Sequence, residues 1–317
     1  MTQASPPERP RPSIAGLRCV VVGAGGFIGT NLLRRLHALG ASCVAVSRPG
    51  AFPLAVAGTD WRPLEDCDLR PHETVLREAD VVFHLLGGLS PAASAGDPVA
   101  SLHSSVALSL NLIRMRRGRI VFTSSGGTIY GRTPQHAVPE SLAANPISFY
   151  GVEKLAIEKY LAADEWTTGR PFVALRIANP FGPFQRPGRG QGVVATMAGR
   201  ILKNNPIEVW GDGNVVRDFI FVGDVVDAMI SSALYTGSER IFNVGSGVGR
   251  SVISIIDDLR RMIGKDAPIQ FRDARAADVP YNVLDISLAE RELSWTPKTN
   301  WNDGLRLTID WLTTELD

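Results

Sequence analysis

Five apolar runs, at 19–22, 43–46, 81–86, 119–124 and 172–178, mark the first part of the chain, with helical stretches between them. Strands that alternate with helices predict an α/β architecture, a doubly wound parallel sheet with helices on both faces. The first run, Cys19-Val20-Val21-Val22, leads into Gly23-Ala24-Gly25-Gly26-Phe27-Ile28-Gly29. A helical pattern follows through Phe27, Leu32, Leu33, Leu36 and Leu39 and stops at Gly40, a residue suited to a left-handed helix end. Beyond Asn179 the texture turns to Gly, Pro and Arg, and residues 184–192 read as a loop. Helical patterns at 193–203, 251–263 and 302–316 predict a smaller second domain. No internal repeat is found.

A strand, a Gly-rich turn and a helix in that order are the context of a dinucleotide fingerprint on a Rossmann-type sheet. Gly23 allows the tight turn, Gly26 lets a pyrophosphate approach the backbone, and Gly29 lets helix and strand pack closely. The helix start then offers free N–H groups and a positive dipole end to the phosphates. A second pattern adds chemistry. Tyr150 and Lys154, four residues apart, project from one face of a helix. A phenol titrates at about 10. A nearby ammonium, with a positively charged nicotinamide, would draw it down towards the range where it can exchange a proton with a substrate hydroxyl. The spacing alone also fits an incidental Tyr and a solvated Lys. The Gly-rich turn is what gives the pair its redox reading.

The Gly-x-x-Gly-x-x-Gly spacing resembles that of the short-chain dehydrogenase/reductases. Gly25-Gly26-Phe27-Ile28-Gly29 is similar to the extended branch, the NAD-dependent epimerase/dehydratase family of nucleotide-sugar epimerases, dehydratases and reductases. Further blocks carry the resemblance in order along nearly the whole chain: Asp68-Leu69, Asp80–Leu85, Ile120–Ser125, Arg176–Pro183, Gly211-Asp212-Gly213 through Arg217-Asp218-Phe219-Ile220, and Arg275–Asp278. The resemblance implies that Gly23, Gly26, Phe27, Ile28, Gly29, Asp68, Leu69 and Leu85 hold the dinucleotide, with Tyr150 and Lys154. It implies Asn179, Arg217 and Arg275 at the diphosphate of a nucleotide sugar, with Val193 also on the substrate side. Planar guanidinium groups suit a diphosphate. Asp218 is expected to orient Arg217, and His84 and His103 are read as structural. The implied division is a tail at 1–13, a dinucleotide-binding domain of 14–178 plus about 214–247, and a substrate domain of 179–213 plus 248–317.

Two departures from the family pattern bear on function. Relatives carry a Ser or Thr four residues before the Tyr of Tyr130-Gly131, and that position here is Gly126. Ser125 is taken as the catalytic hydroxyl that also meets substrate, with Thr128 as the alternative, because Gly126-Gly127 gives Ser125 backbone freedom. The second departure is Ser47-Arg48 at the end of the second strand, where NAD-using relatives place an acid on the adenosine ribose. Ser47 could make one ribose bond and Arg48 could hold a 2′-phosphate, so the cofactor is NAD or NADP. Bound NAD accompanies the first functional reading, a UDP-hexose 4-epimerase. Exchangeable NADPH accompanies the alternative, a 4-ketoreductase of a nucleotide-linked 4-keto-6-deoxyhexose. Dehydratases add an acidic pair where this chain has Gly126-Gly127. A dinucleotide-binding sensor that has lost its chemistry is the remote alternative.

Composition narrows the partners. The chain has 317 residues, 44% hydrophobic and 21% charged, with a net charge of +1, which gives no electrostatic case for nucleic acid or a membrane surface. Arg114, Arg116, Arg117 and Arg119 read as a solvated turn. No apolar run approaches the roughly 20 residues of a membrane span. The Pro-rich first residues lack a hydrophobic signal core, so a disordered tail is expected. Cys19, Cys43 and Cys67 lack metal-ligand spacing, and no metal site is expected. Three reduced thiols suit a cytoplasmic protein. Family members often dimerise through a four-helix bundle that includes the Tyr-bearing helix. Leu155, Ile157 and Leu161 would allow a homodimer of that kind, and packing on the sheet explains them equally.

Overall fold

The computed structural model describes residues 13–49, 56–87, 91–188, 192–274 and 279–316. The tail expected at 1–13 lies, apart from Ser13, outside the described residues. The strands in chain order are β1 (Arg18–Val22), β2 (Ser42–Ser47), β3 (Asp60–Pro63), β4 (Val81–His84), β5 (Arg119–Ser125), β6 (Phe172–Ile177) and β7 (Asn179–Phe181). They continue as β8 (Ile207–Trp210), β9 (Val216–Phe221), β10 (Ile241–Val244), β11 (Gly249–Ser251), β12 (Ile269–Arg272) and β13 (Tyr281–Asn282). The first helices are α1 (Phe27–Ala38), α2 (Glu73–Glu78), α3 (Pro91–Gly96), α4 (Pro98–Leu102), α5 (Leu108–Met115) and α6 (Phe149–Thr168). They are followed by α7 (Val193–Leu202), α8 (Val222–Leu234), α9 (Val252–Ile263), α10 (Ser287–Leu293) and α11 (Trp301–Leu316). A π-helical turn, His103–Ala107, joins α4 to α5.

Seven strands make one sheet in the order β10-β6-β5-β4-β1-β2-β3, and every pairing is parallel. Side chains alternate across a strand. Cys19 and Val21 of β1 therefore pack with Leu32, Leu33 and Leu36 of α1 and Met229 of α8 on one face. Val20 and Val22 pack with Leu76 of α2, Leu112 of α5, and Ile157 and Leu161 of α6 on the other. Burial on both faces is why each strand reads as an unbroken apolar run. Each Val or Leu so withdrawn from water contributes about 1.5–3 kcal/mol. The strand β3 was not foreseen. Asp60-Trp61-Arg62-Pro63 has one apolar side chain and ends in Pro, which suits an edge.

The second unit has its own core, from Val194 and Ile201 of α7, Ile255 and Leu259 of α9, and Leu305 and Leu312 of α11. A small sheet of β11, β9 and β13, with β7 beside β9, connects it to the large one, and β8 pairs with β12. The expected boundaries shift accordingly. Residues 216–221, assigned to the dinucleotide part, supply β9 to the small sheet, whereas β10 joins the large one. Ala289 and Leu293 of α10, with Trp295, join the core against the large sheet, although 248–317 was assigned to the substrate part. Trp295 anchors there by donating its indole N–H to Asp224 O at 2.9 Å.

The reading of the Arg cluster at 114–119 is corrected at Arg116, whereas Arg114 and Arg117 are exposed. Arg116 is fully buried, donating to Gly118 O at 2.8 Å and pairing with Asp164 at 3.0 Å. It pins the start of β5 to the end of α6 and is no solvated turn. Among the described residues, no helix is long and apolar enough to cross a membrane.

Candidate active site at the carboxyl ends of the parallel strands

The Gly-rich turn leaves β1 beside the end of β2. Gly23 N–H and Ala24 N–H both donate to Val46 O, at 2.8 and 3.3 Å. Gly23 has φ of 93°, and a Cβ on it would lie 3.0 Å from Leu85 C, so a side chain is opposed twice over. A Cβ on Gly29 would meet Ala24 O at 2.5 Å, so its absence lets α1 start directly against the turn. No side chain caps α1 at Gly26, and Gly26 is exposed. The first N–H groups of α1 are thus free for an anion. Phe27 and Ile28 are half-buried, Leu69 is buried, and Leu85 lies against Gly23. Asp68 accepts from Arg70 Nε at 2.9 Å, and that guanidinium holds its carboxyl below the usual range. The cradle fits a dinucleotide pyrophosphate. At its rim Ser47 is buried and accepts from Gly25 N–H at 3.1 Å, and Arg48 is exposed.

Tyr150 and Lys154 stand on the first turns of α6. Ser148 caps that helix by accepting from Gly151 N–H at 3.2 Å, and Gly169, with φ of 71°, ends it. Lys154 is buried. Its ammonium donates to Thr123 O at 2.8 Å and Leu86 O at 3.3 Å, and lies 4.7 Å from the Phe122 ring and 5.6 Å from the Tyr150 ring. Burial brings Lys154 down to about 7, against the pull of the Glu153 and Glu158 carboxylates. Tyr150 goes up to about 12 through burial and the negative charge of Glu153. The expected lowering was assigned to Lys154 together with a nicotinamide, and the nucleotide-free chain holds only the first of these. Here Lys154 alone does not offset burial.

A pH dependence follows. Between about 7 and the ordinary lysine value of 10.5, the unfolded chain holds a proton on Lys154 that the folded chain lacks. On this account the nucleotide-free protein gains stability as pH rises through that window. Urea midpoints of the wild type and Lys154→Met check it, and the same pH slope in both proteins would refute the assignment.

At the end of β5, Thr128 donates its hydroxyl to Ser125 Oγ at 2.9 Å, so the two candidate hydroxyls form one pair. Ser125 keeps its own proton to give elsewhere. Ser124 faces α6 instead and donates to Glu158 Oε1 at 2.6 Å. Gly126 has no room for a hydroxyl-bearing side chain. Its Cβ would lie 2.5 Å from Leu284 Cδ1 and 2.9 Å from Arg176 O. A Cβ on Gly151 would lie 2.9 Å from Thr128 O, so its absence brings the start of α6 close to the pair. His84 is buried and accounted for structurally. Ser109 gives its proton to Ser105 O at 2.6 Å, so His84 Nε2–H donates to Ser109 Oγ at 2.7 Å. Burial and Lys154 push His84 down to about 3.

The opposite side of the cleft is built on the small sheet. Asn179 donates to Asp218 O at 2.9 Å. Arg217 is half-buried, donates to Val216 O at 2.9 Å and makes further contacts. Its register partner Asn282 donates to Gly126 O at 3.2 Å, which sets this sheet beside the end of β5. Val193 opens α7 and is 40% exposed. Arg275 lies outside the described residues, as do 189–191 of the loop read at 184–192. Asp218 does not serve as expected. It is fully buried, and its carboxylate accepts from Ser246 N–H at 2.8 Å, Ser246 Oγ at 2.6 Å, Gly247 N–H at 3.2 Å and Leu284 N–H at 3.3 Å. It holds the turn after β10, not the Arg217 guanidinium.

Two site residues were missed. Glu153 is buried beside the Tyr–Lys pair with Oε2 unbonded, and Glu158 binds Arg176 through both oxygens, at 3.1 and 2.8 Å. The signal for Glu158 was present, since Tyr150, Lys154 and Glu158 follow one another at four-residue steps. Of the two readings of the apolar positions on α6, packing on the sheet holds for Ile157 and Leu161. Ile157 and Leu161 are core residues, whereas Phe149, Val152 and Tyr160 of α6 and Val99 and Leu102 of α4 present exposed apolar surface.

A family model described as the NAD dependent epimerase/dehydratase family matches residues 19–245. A UDP-glucose 4-epimerase of Mycolicibacterium smegmatis is 31% identical over 307 residues, with 93% of this chain and 98% of that protein covered. A dTDP-4-dehydro-6-deoxyglucose reductase of Escherichia coli is 29% identical, with 90% and 94% covered. The solved UDP-glucose 4-epimerase of Thermotoga maritima, with UDP-glucose, matches at a TM-score of 0.89 and 30% identity, over 95% of this chain and 100% of that one.

Proposed function

Because the chain belongs to the NAD dependent epimerase/dehydratase family, we propose that it is a nucleotide-sugar enzyme working at a hexose carbon, and specifically a UDP-hexose 4-epimerase. The observation that carries this reading is Lys154, clamped by Thr123 O and Leu86 O beneath the Tyr150 ring, next to the dinucleotide cradle. A nicotinamide dinucleotide, when bound, supplies the hydride chemistry and a positive charge near the phenol. Tyr150 takes the proton from the sugar hydroxyl, and Ser125, held by Thr128, relays it. Lys154 steadies the phenolate that Tyr150 must be before it takes that proton. Asn179 and Arg217 hold the diphosphate end, which keeps the sugar at Tyr150 while the ketone turns its other face. Tyr150 then returns the proton to complete inversion.

The test is proton NMR of purified protein given UDP-glucose and nicotinamide dinucleotide. Conversion to UDP-galactose is expected, and an unchanged spectrum for both sugars would sink the epimerase reading. We further propose a homodimer through α4 and α6, where the exposed Val99, Leu102, Phe149 and Val152 lie. Light scattering on the same preparation should give twice the chain mass, and a monomer would reject that face. Ser47 and Arg48 favour a second reading, a 4-ketoreductase. Its mark is oxidation of one NADPH for each nucleotide-linked 4-keto-6-deoxyhexose consumed, with no interconversion of UDP-hexoses.

A further inference from the structure

We infer that Arg48 selects a 2′-phosphorylated dinucleotide, so that the cradle takes NADP(H) in preference to NAD(H). The inference rests on the dinucleotide site proposed above and concerns its adenosine end. Discrimination between the two dinucleotides needs a carboxylate for the ribose diol or a cation for the 2′-phosphate, both at the end of β2.

The strand position of that carboxylate carries no acid. Ser47 occupies the position, and it is buried with its Oγ already accepting from Gly25 N–H at 3.1 Å. It therefore fastens the Gly-rich turn to β2. Its own O–H can serve only one acceptor, whereas a ribose diol offers two donors to a carboxylate. The strand beside it gives no substitute. Asp60 is taken by Arg62 at 2.7 Å, and Asp68 by Arg70 at 2.8 Å. The segment that follows, Gly50-Ala51-Phe52-Pro53-Leu54-Ala55, contains no acid.

A cation is in place. Arg48 directly follows Ser47, is exposed, and makes no hydrogen bond or ion pair with any described residue. Pro49 comes next, which disfavours helical geometry for Arg48. Its planar guanidinium can donate two parallel hydrogen bonds to a phosphate and none of equal strength to a neutral ribose.

The test uses half-ligands, so no sugar turnover is needed. Quenching of the intrinsic tryptophan fluorescence by 2′,5′-ADP and by 5′-ADP gives two dissociation constants for each protein. Wild type is expected to bind 2′,5′-ADP roughly ten- to a hundredfold more tightly, the scale of a charge-assisted hydrogen bond. Arg48→Ala should erase the difference by weakening 2′,5′-ADP alone, Arg48→Lys should keep part of it, and raising salt should shrink it in the wild type. NADP⁺ against NAD⁺ should reproduce the ranking. Equal affinities in the wild type, or a preference that survives in Arg48→Ala, would overturn the inference and leave the epimerase reading standing. Failure of every adenine nucleotide to bind would remove the dinucleotide site itself, and both readings with it.

Discussion

Replacing Tyr150 by Phe is expected to lower turnover of the nucleotide sugar by roughly 10³-fold, within the range that a positioned acid–base group contributes, while dinucleotide affinity stays nearly unchanged. The phenyl ring of Phe keeps the packing of the first turn of α6 and loses only the hydroxyl. Two neighbouring titratable groups are otherwise engaged. His84 is buried with its Nε2 committed to Ser109, and Lys154 is fixed on Thr123 O and Leu86 O. Ser125 can relay a proton and cannot store one, because a hydroxyl is far too weak an acid. Tyr150 itself lies at about 12 before ligand arrives. The drop to a useful value must therefore come from the charge a bound nicotinamide brings next to a protonated Lys154. Single-turnover measurement with excess enzyme separates chemistry from binding. Undiminished chemistry in Tyr150→Phe would remove Tyr150 from the mechanism.

Glu158→Ala should cost about 3–5 kcal/mol of stability, the usual penalty for leaving one partner of a buried ion pair alone. Glu158 is 2% exposed and Arg176 is 6% exposed. The carboxylate receives Arg176 through two hydrogen bonds and Ser124 through a third, while the guanidinium lies 4.9 Å over the Tyr130 ring. Removing it strands a permanent cation between α6 and the sheet, with no water to take its place. Against a total stability of about 5–15 kcal/mol for a typical domain, that is a large fraction. The double variant Glu158→Ala/Arg176→Met should recover much of the loss, since the stranded charge is gone. Urea unfolding of the three proteins decides the matter. A single-variant loss below about 1 kcal/mol, the value of an exposed pair, would mean that the pair is not a buried one.

The parts of the molecule that were legible from the chain are those that short segments dictate. Val20, Val21 and Val22 had to be a buried strand. Gly23, Gly26 and Gly29 had to be a turn under a helix, and Tyr150 and Lys154 had to share a helix face. What was hidden depends on partners distant in sequence. Arg116 reads as a surface cation until Asp164 is placed beside it. Asp218 sits next to Arg217 in the chain, yet its carboxylate is claimed by Ser246, Gly247 and Leu284. The direction of the Tyr150 shift turns on burial and on Glu153, neither of which the four-residue spacing reveals. β3 carries too few apolar side chains to announce itself, and only its pairing with β2 makes it a strand.

The missing side chain at 126 has a consequence for how such a site can change by mutation. The space a Cβ would enter is held by the tip of Leu284, a residue contributed from near the other end of the chain. A side chain at 126 would have to displace the Leu284 tip and also press on the Arg176 carbonyl, so a hydroxyl cannot return there without repacking. The Ser125–Thr128 pair is the hydroxyl arrangement that this packing leaves room for.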